Sequence, residues 1–339
     1  MIDLHVHMDG SIRPQTLIEL AREQDAYLPT YDVNKIKKYL VVPPDAKDRS
    51  SFFRRHDLSQ AVLQGRKAIR RVVSELVIDM ERQGVLYAEI RMTPQAHTLR
   101  GLTQNQVVEA ALEGLNKGME LCRSIRANLV LCTMRGADEK DNFATIVEAA
   151  GHLGRGVAGV DLAGNEVTYG TQCYEEQFHL LNEEHIPFTV HAGIMAGPES
   201  IWEAVKNGAR RIGHGLHALE DASLVNFLRE KGIVLEMCPV SNVLTGIVPS
   251  LKEHPIRRCY DIGLKVTAGT DDLVLCGTTL RKQYELLKKE LDFKDEDIIQ
   301  MNENAIDGAF LSGYHRQKLR EKFRESVEHG AITPVKTED

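Results

Sequence analysis

A repeated hydrophobic rhythm restricts the fold of this chain more than any other feature. Eight short β-branched runs alternate with amphipathic helical patterns from end to end, at residues 2–7, 86–92, 128–133, 156–162, 188–191, 211–214, 233–237 and 265–269. The clearest helical pattern covers residues 58–84, where Val62, Ile69, Val72, Val73, Leu76, Val77 and Met80 recur at near-helical spacing. Others fall at 14–23, 104–122, 142–151, 172–184, 198–207, 222–232 and 278–290. Strands separated by helices pair in parallel, and eight such units are what a closed (β/α)8 barrel requires. An open doubly wound sheet is the rival. It would carry a glycine-rich phosphate turn after its first strand, whereas this strand ends in "HVHMDGS". The expected fold is therefore α/β: a TIM barrel forming a single domain over residues 1–339, with a helical insertion after strand 1 and a charged C-terminal helical extension. The insertion, residues 25–57, is expected to cap the barrel mouth.

Charge and cysteine usage narrow the function classes. The net charge is −7 with no compensating basic stretch, so a nucleic-acid surface is not expected. The six cysteines are scattered without CxxC pairs or framework spacing and read as reduced, mostly buried thiols. No window approaches the ~18 consecutive apolar residues of a membrane span, and nothing near Met1 has a basic region before an apolar core. A soluble, cytoplasmic protein with no membrane partner is the expectation.

In a parallel barrel the chemistry gathers where strands end, because those loops share one face. Strand 1 closes with His5 and His7, which a period of two places on one side. Strand 4 runs into Asp161 and "AGNE", strand 5 ends at His191, strand 6 at His214, strand 7 leads into "CPVSN", and strand 8 into Asp271 and Asp272. A lone strand-end histidine is ordinarily structural; three histidines and an aspartate aimed into one cavity are a ligand set for a divalent metal. His217, three residues past His214, is a candidate supporting residue. The remaining histidines, including His56, His97 and His254, read as ordinary helix or loop residues.

These strand ends carry "DLHVHMDGSIRPQTL" at the start, "DLAGNE" at 161–166, "HAG" at 191–193, "RIGHGLHALED" at 211–221, "LEMCPVSNVLTG" at 235–246 and "GTDD" at 269–272. In that order they resemble the adenosine and adenine deaminase family of metal-dependent hydrolases, within the amidohydrolase superfamily. The resemblance implies a TIM barrel, a role in purine metabolism, and one zinc held by His5, His7, His191 and Asp271. It implies catalytic roles for His214, as base or electrostatic partner, and for Asp271. His7, Asp9, Gly164 and Asp272 would meet the substrate: Asp272 at purine N7, Gly164 at N3 through its backbone, Asp9 at the sugar hydroxyl. A metal lowers the pKa of bound water from ~15.7 towards ~7, and the resulting hydroxide would attack C6 of adenosine or a related 6-aminopurine. The partner would be a purine nucleoside or base, and the outer helices of such barrels are compatible with a homo-oligomer.

Two positions depart from the family pattern. "HAG" is followed in the family by a glutamate that protonates N1, and here by Ile194; the two aspartates are followed by Leu273 where proline is usual. Isoleucine has no proton to give. Three explanations remain open: a different reaction on the same metal site, an altered copy, or another group standing in, with Glu166 and Glu199 the nearest carboxylates. The alternative to adenosine deamination is accordingly hydrolysis of another purine-like or pterin-like substrate that needs no such acid, or an impaired member that binds purine nucleosides.

Overall fold

The computed structural model of the chain describes residues 1–43 and 49–330. Eight parallel strands follow one another in sequence order: β1 (Ile2–His7), β2 (Tyr87–Met92), β3 (Arg126–Met134), β4 (Val157–Ala163), β5 (Phe188–Ala192), β6 (Arg211–His214), β7 (Val234–Met237) and β8 (Lys265–Ala268). Each of the eight expected runs is a strand, with ends displaced by at most two residues. The ring joins at β1: Val6 bridges Asp271, the His7 amide donates to the Asp271 carbonyl at 2.6 Å, and the Asp271 amide donates to the His5 carbonyl at 2.8 Å. The chain folds as an α/β barrel of the TIM type.

Helices begin where side chains satisfy their orphan N–H groups. Thr103 and Gln106 form a reciprocal capping box at the start of Gln104–Leu121, and Asp221 accepts from Ser223 and Leu224 ahead of Ala222–Lys231. The long pattern at 58–84 is not one helix. It divides into Arg49–Val62 and Arg66–Arg82 at Gly65, whose backbone is extended. Gln64 covers the break, donating to the carbonyls of Gln60 and Ala96 and accepting from the Leu99 amide. Within the expected cap lie helices Val33–Leu40 and the start of Arg49–Val62; residues 44–48 of it are outside the described residues. Phe52 and Val42 pack on Leu244 and Cys276, and the Val42 amide donates to the Leu275 carbonyl at 2.8 Å, which ties this segment to the loops after β7 and β8.

Inside the barrel the side chains are charged. Period two sends Ile2, Leu4 and Val6 of β1 to the helices and Asp3, His5 and His7 to the interior; β2 likewise turns Glu89 and Arg91 inward. Arg91 donates to Asp161 at 2.8 Å and to Glu236; Arg211 pairs with Glu89 at 2.6 Å and with Glu236; Thr189 donates to Glu236 at 3.2 Å. All are fully buried. The C-terminal extension, helices Asp295–Gly308 and Gly313–Glu328, completes the floor: Arg211 donates to the Gly308 carbonyl at 2.8 Å and stacks over the Phe310 ring, whose amide donates to Glu89 at 2.7 Å.

Removing one partner from such a plug leaves an uncompensated buried charge, which costs about 3–5 kcal/mol. Arg211→Met is therefore expected to destabilise the fold by about that amount, as measured by urea unfolding; a loss below about 1 kcal/mol, the size of an exposed pair, would show the plug to be energetically idle.

Candidate metal centre and pocket

The structure brings together the residues that the strand ends placed at the mouth. One donor atom each from His5, His7 and His191 lies within 4.8 Å of the others. Oδ1 of Asp271 is 3.5 Å from Nε2 of His5 and 3.4 Å from Nε2 of His7, and those two nitrogens are 3.3 Å apart. His214 completes the cluster, its ring 4.8 Å from that of His5 and 5.1 Å from that of His191. Gly269 makes room for this crowding, since a Cβ there would lie 2.7 Å from the His5 Cβ.

The donor set fits a divalent ion. Nδ1 of His5 donates to Glu236 at 3.0 Å and Nδ1 of His191 donates to Asp161 at 2.9 Å, which leaves the unprotonated Nε2 of both rings as the ligand atom. Burial opposes ionisation of Asp271, yet the imidazoles of His5, His214 and His7 hold its carboxyl well below the usual range. Burial pushes His7 and His214 well below the ordinary histidine value. Cys238 stands close enough to His5, His214 and Asp271 to count as a donor, but burial, reinforced by Asp271, pushes its thiol up and keeps it protonated.

Asp161 is no rim residue: it is fully buried and serves Arg91 and His191. His217, on a half-exposed turn, pairs with Glu220, its Nδ1 2.6 Å from that carboxylate. Three histidines read as ordinary from the sequence are linked to residues expected at the mouth, two directly and one through Asn242. His97, fully buried, lies 3.1 Å from Asp9. His56, from helix Arg49–Val62, lies 3.4 Å from Asp272. His254 contacts Asn242, which contacts His214. A signal for His97 and His56 existed only in their partners, which lie across the fold.

Asp272 is seated on Gly10, where a Cβ would fall 1.7 Å from its Oδ1. Leu273 has a consequence that proline would not allow: its amide donates to Ser11 Oγ at 3.2 Å, and Ser11 Oγ donates to the His7 carbonyl at 2.6 Å. Glu166 is fully committed. Its carboxylate accepts from the amides of Gly193 at 2.9 Å, Ile194 and Met195 at 2.6 Å and Ala196 at 3.1 Å, and from Ser200 Oγ at 2.7 Å. Glu199 folds back on the Gly197 amide at 2.9 Å. Both nearby carboxylates are therefore engaged by backbone amides, Glu166 by those of the 193–196 turn and Glu199 by that of Gly197. Gly164, at a φ of 106° that favours glycine, packs against Arg135, which in turn donates to the His191 carbonyl at 3.0 Å.

The adenosine deaminase family pattern matches residues 1–326. The chain belongs to the adenosine deaminase family. It is an enzyme of that hydrolase group, and it is 38% identical over 94% of both chains to adenosine deaminase of Haemophilus ducreyi. Among solved structures, adenine deaminase from Arthrobacter aurescens superimposes with a TM-score of 0.88 at 27% identity, covering 96% of this chain and 98% of that one. The N6-methyl-AMP deaminase of Arabidopsis thaliana does so with a TM-score of 0.85 at 25% identity, covering 97% of each. No helix among the described residues of this family member is long and apolar enough to cross a membrane.

Two outcomes test the site. Asp161→Asn removes the charge that orients His191, and zinc affinity measured by competition with a chelator is expected to fall about 10–100-fold; unchanged affinity would exclude Asp161 from supporting a ligand. For His56, burial lowers the pKa but Asp272, Asp9 and Asp271 outweigh it and raise it from 6.5 to about 9. A raised pKa contributes stability in full below pH 6.5 that is lost as pH rises through about 9. The thermal-unfolding gap between the wild type and His56→Gln should therefore shrink across that interval; a gap that widens with pH contradicts the His56–Asp272 pairing.

Proposed function

We propose that this chain is a zinc-dependent hydrolytic deaminase of adenosine or a related 6-aminopurine. The observation that carries the reading is the meeting of His5, His7, His191 and Asp271 with Asp272 directly beside them, a nucleophile-generating centre joined to a group able to read a purine edge. When bound, a divalent ion held by those four residues supplies Lewis acidity that makes water nucleophilic at neutral pH. The remaining work belongs to the chain. Asp271, held ionised by its imidazole neighbours, accepts a proton from the attacking water and passes it to the departing amine. Asp272, sharing a proton with His56, hydrogen-bonds N7; the Gly164 backbone meets N3; Asp9, steadied by His97, takes the sugar hydroxyl. The described parts of segment 25–57, residues 25–43 and 49–57, are tied to the loops after β7 and β8 and would cover the mouth and exclude water, the barrel acting as one catalytic unit.

Ile194 stands, in this reading, where the family's acid glutamate belongs. General acid catalysis is worth about 10²–10⁴ in rate, so deamination is slow unless the proton arrives from elsewhere. With Glu166 and Glu199 both engaged by backbone amides, the apolar position favours a second reading: the same centre hydrolyses a purine-like or pterin-like substrate that needs no ring protonation at that edge, or holds a purine nucleoside nearly unconverted.

The relatives act on adenine, adenosine and N6-methyl-AMP, which sets the substrate panel. Zinc-loaded protein is expected to release ammonia from adenine or adenosine, or methylamine from N6-methyl-AMP, and shift the adenine ultraviolet spectrum to that of hypoxanthine, with Ile194→Glu faster by about 10²–10⁴. Full zinc occupancy with no turnover by either protein would overturn the first reading, and consumption of a pterin would establish the second.

A further inference from the structure

Behind His214 runs a line of buried polar groups that none of the roles above uses. The Ile256 amide lies 3.2 Å from Nδ1 of His254, Nε2 of His254 lies 3.1 Å from Oδ1 of Asn242, and Nδ2 of Asn242 lies 3.1 Å from Nδ1 of His214. His254, Asn242 and His214 are at most 4% exposed.

One donor in this line cannot be reversed. Ile256 opens helix Ile256–Asp261 behind Pro255, so its N–H has no carbonyl within the helix and can only donate. Nδ1 of His254 therefore accepts. Burial pushes the His254 pKa down to about 3, and a neutral imidazole that accepts at Nδ1 carries its proton on Nε2. That proton needs an acceptor, which turns the Asn242 amide oxygen towards His254 and the NH2 towards His214. An NH2 donates only. Nδ1 of His214 consequently accepts, and its ring proton sits on Nε2, the nitrogen left for the donor cluster. Asn242 is itself fixed, on helix Pro239–Leu244 directly after β7, with its carbonyl accepting from the amides of Ile247 and Val248.

We propose that Asn242 and His254 are positioning residues that hold His214 as its Nε2–H tautomer, so that His214 meets the attacking water as a hydrogen-bond donor and leaves the base role to Asp271. The backbone at His214, with φ of 65°, adds a second constraint on the same ring. The inference rests on the reading that His214 faces the reacting centre.

The test is ring-nitrogen NMR on 15N-histidine-labelled protein, zinc-free and zinc-loaded, with His214 assigned by comparison with His214→Gln. Nδ1 of His214 is expected to be unprotonated and Nε2 protonated. Asn242→Asp, which offers only acceptors, should move the proton to Nδ1 and lower kcat about 10²–10⁴-fold at nearly constant KM, the scale seen when a catalytic histidine is held in the wrong tautomer. His254→Ala frees the Asn242 amide to rotate and should give a mixture of tautomers, while His254→Gln, which donates to the same oxygen, should restore the Nε2–H form. A proton on Nδ1 in the wild type, or on Nε2 in Asn242→Asp, overturns the proposal. Should Asn242→Asp not fold, equal tautomer populations in His254→Ala and His254→Gln overturn it. The NMR readout needs no substrate, so a failure to deaminate any aminopurine would remove the proposed function and leave this result intact.

Discussion

Glu236 is the carboxylate on which both the barrel and its chemistry depend. Deep inside the ring it receives Arg91, Arg211, Thr189 and Nδ1 of His5, so that one side chain joins the charged floor to the donor cluster. Burial alone would favour its neutral form. The two guanidinium groups and His5 overcome this and hold it well below the ordinary range. The plug sets Arg91 and Arg211 against Glu89, Asp161 and Glu236, an excess of carboxylate that the inward N–H groups of His5 and His191 and a divalent ion above them would offset. A barrel interior filled with branched aliphatic layers would be simpler to stabilise. It could not engage Nδ1 of both His5 and His191, as Glu236 and Asp161 of this floor do.

The rim shows the same coupling in the backbone. Asp271 has a φ of 58° and His214 a φ of 65°, left-handed values that cost a non-glycine residue about 1–3 kcal/mol and are kept only where the surroundings enforce them. At Asp271 the enforcement is visible. Its amide and carbonyl both bond to β1, so the residue that closes the barrel is also a donor to the centre, and barrel closure delivers its carboxylate beside His5 and His7. The candidate ligands from β1, β5 and the loop after β8 thus meet because the sheet is closed.

The sequence makes the outer architecture and the donor set legible because both depend on short-range periodicity. A period of two places His5 and His7 together, and the order of strands puts His191, His214 and Asp271 on the same face. What could not be read depends on partners remote in the chain. Glu89, Arg91 and Arg211 look like solvent-facing charges until strand closure buries them against Glu236. His56 and His97 gain meaning only from Asp272 and Asp9. His217, three residues past His214, pairs with Glu220, a partner its spacing from His214 does not announce. Gly65 broke a helix that apolar spacing alone would continue, because Gln64 supplies the hydrogen bonds lost there.

The loop bearing Ile194 takes its shape from hydrogen bonds that do not involve the side chain at 194. Four consecutive amides, from Gly193 to Ala196, converge on the Glu166 carboxylate, which also holds Ser200 at the start of helix Pro198–Lys206. Charge-assisted bonds of this kind fix a backbone irrespective of its side chains. Position 194 is accordingly presented on a turn whose shape is set from outside, and a carboxylate or an alkyl group can occupy it with the same main-chain path. His191, three residues earlier, is anchored separately through Asp161 and Arg135. The proposed metal-ligand and proton-donor positions therefore share a strand end but not a support, and a change of side chain at 194 would leave the anchoring of His191 in place.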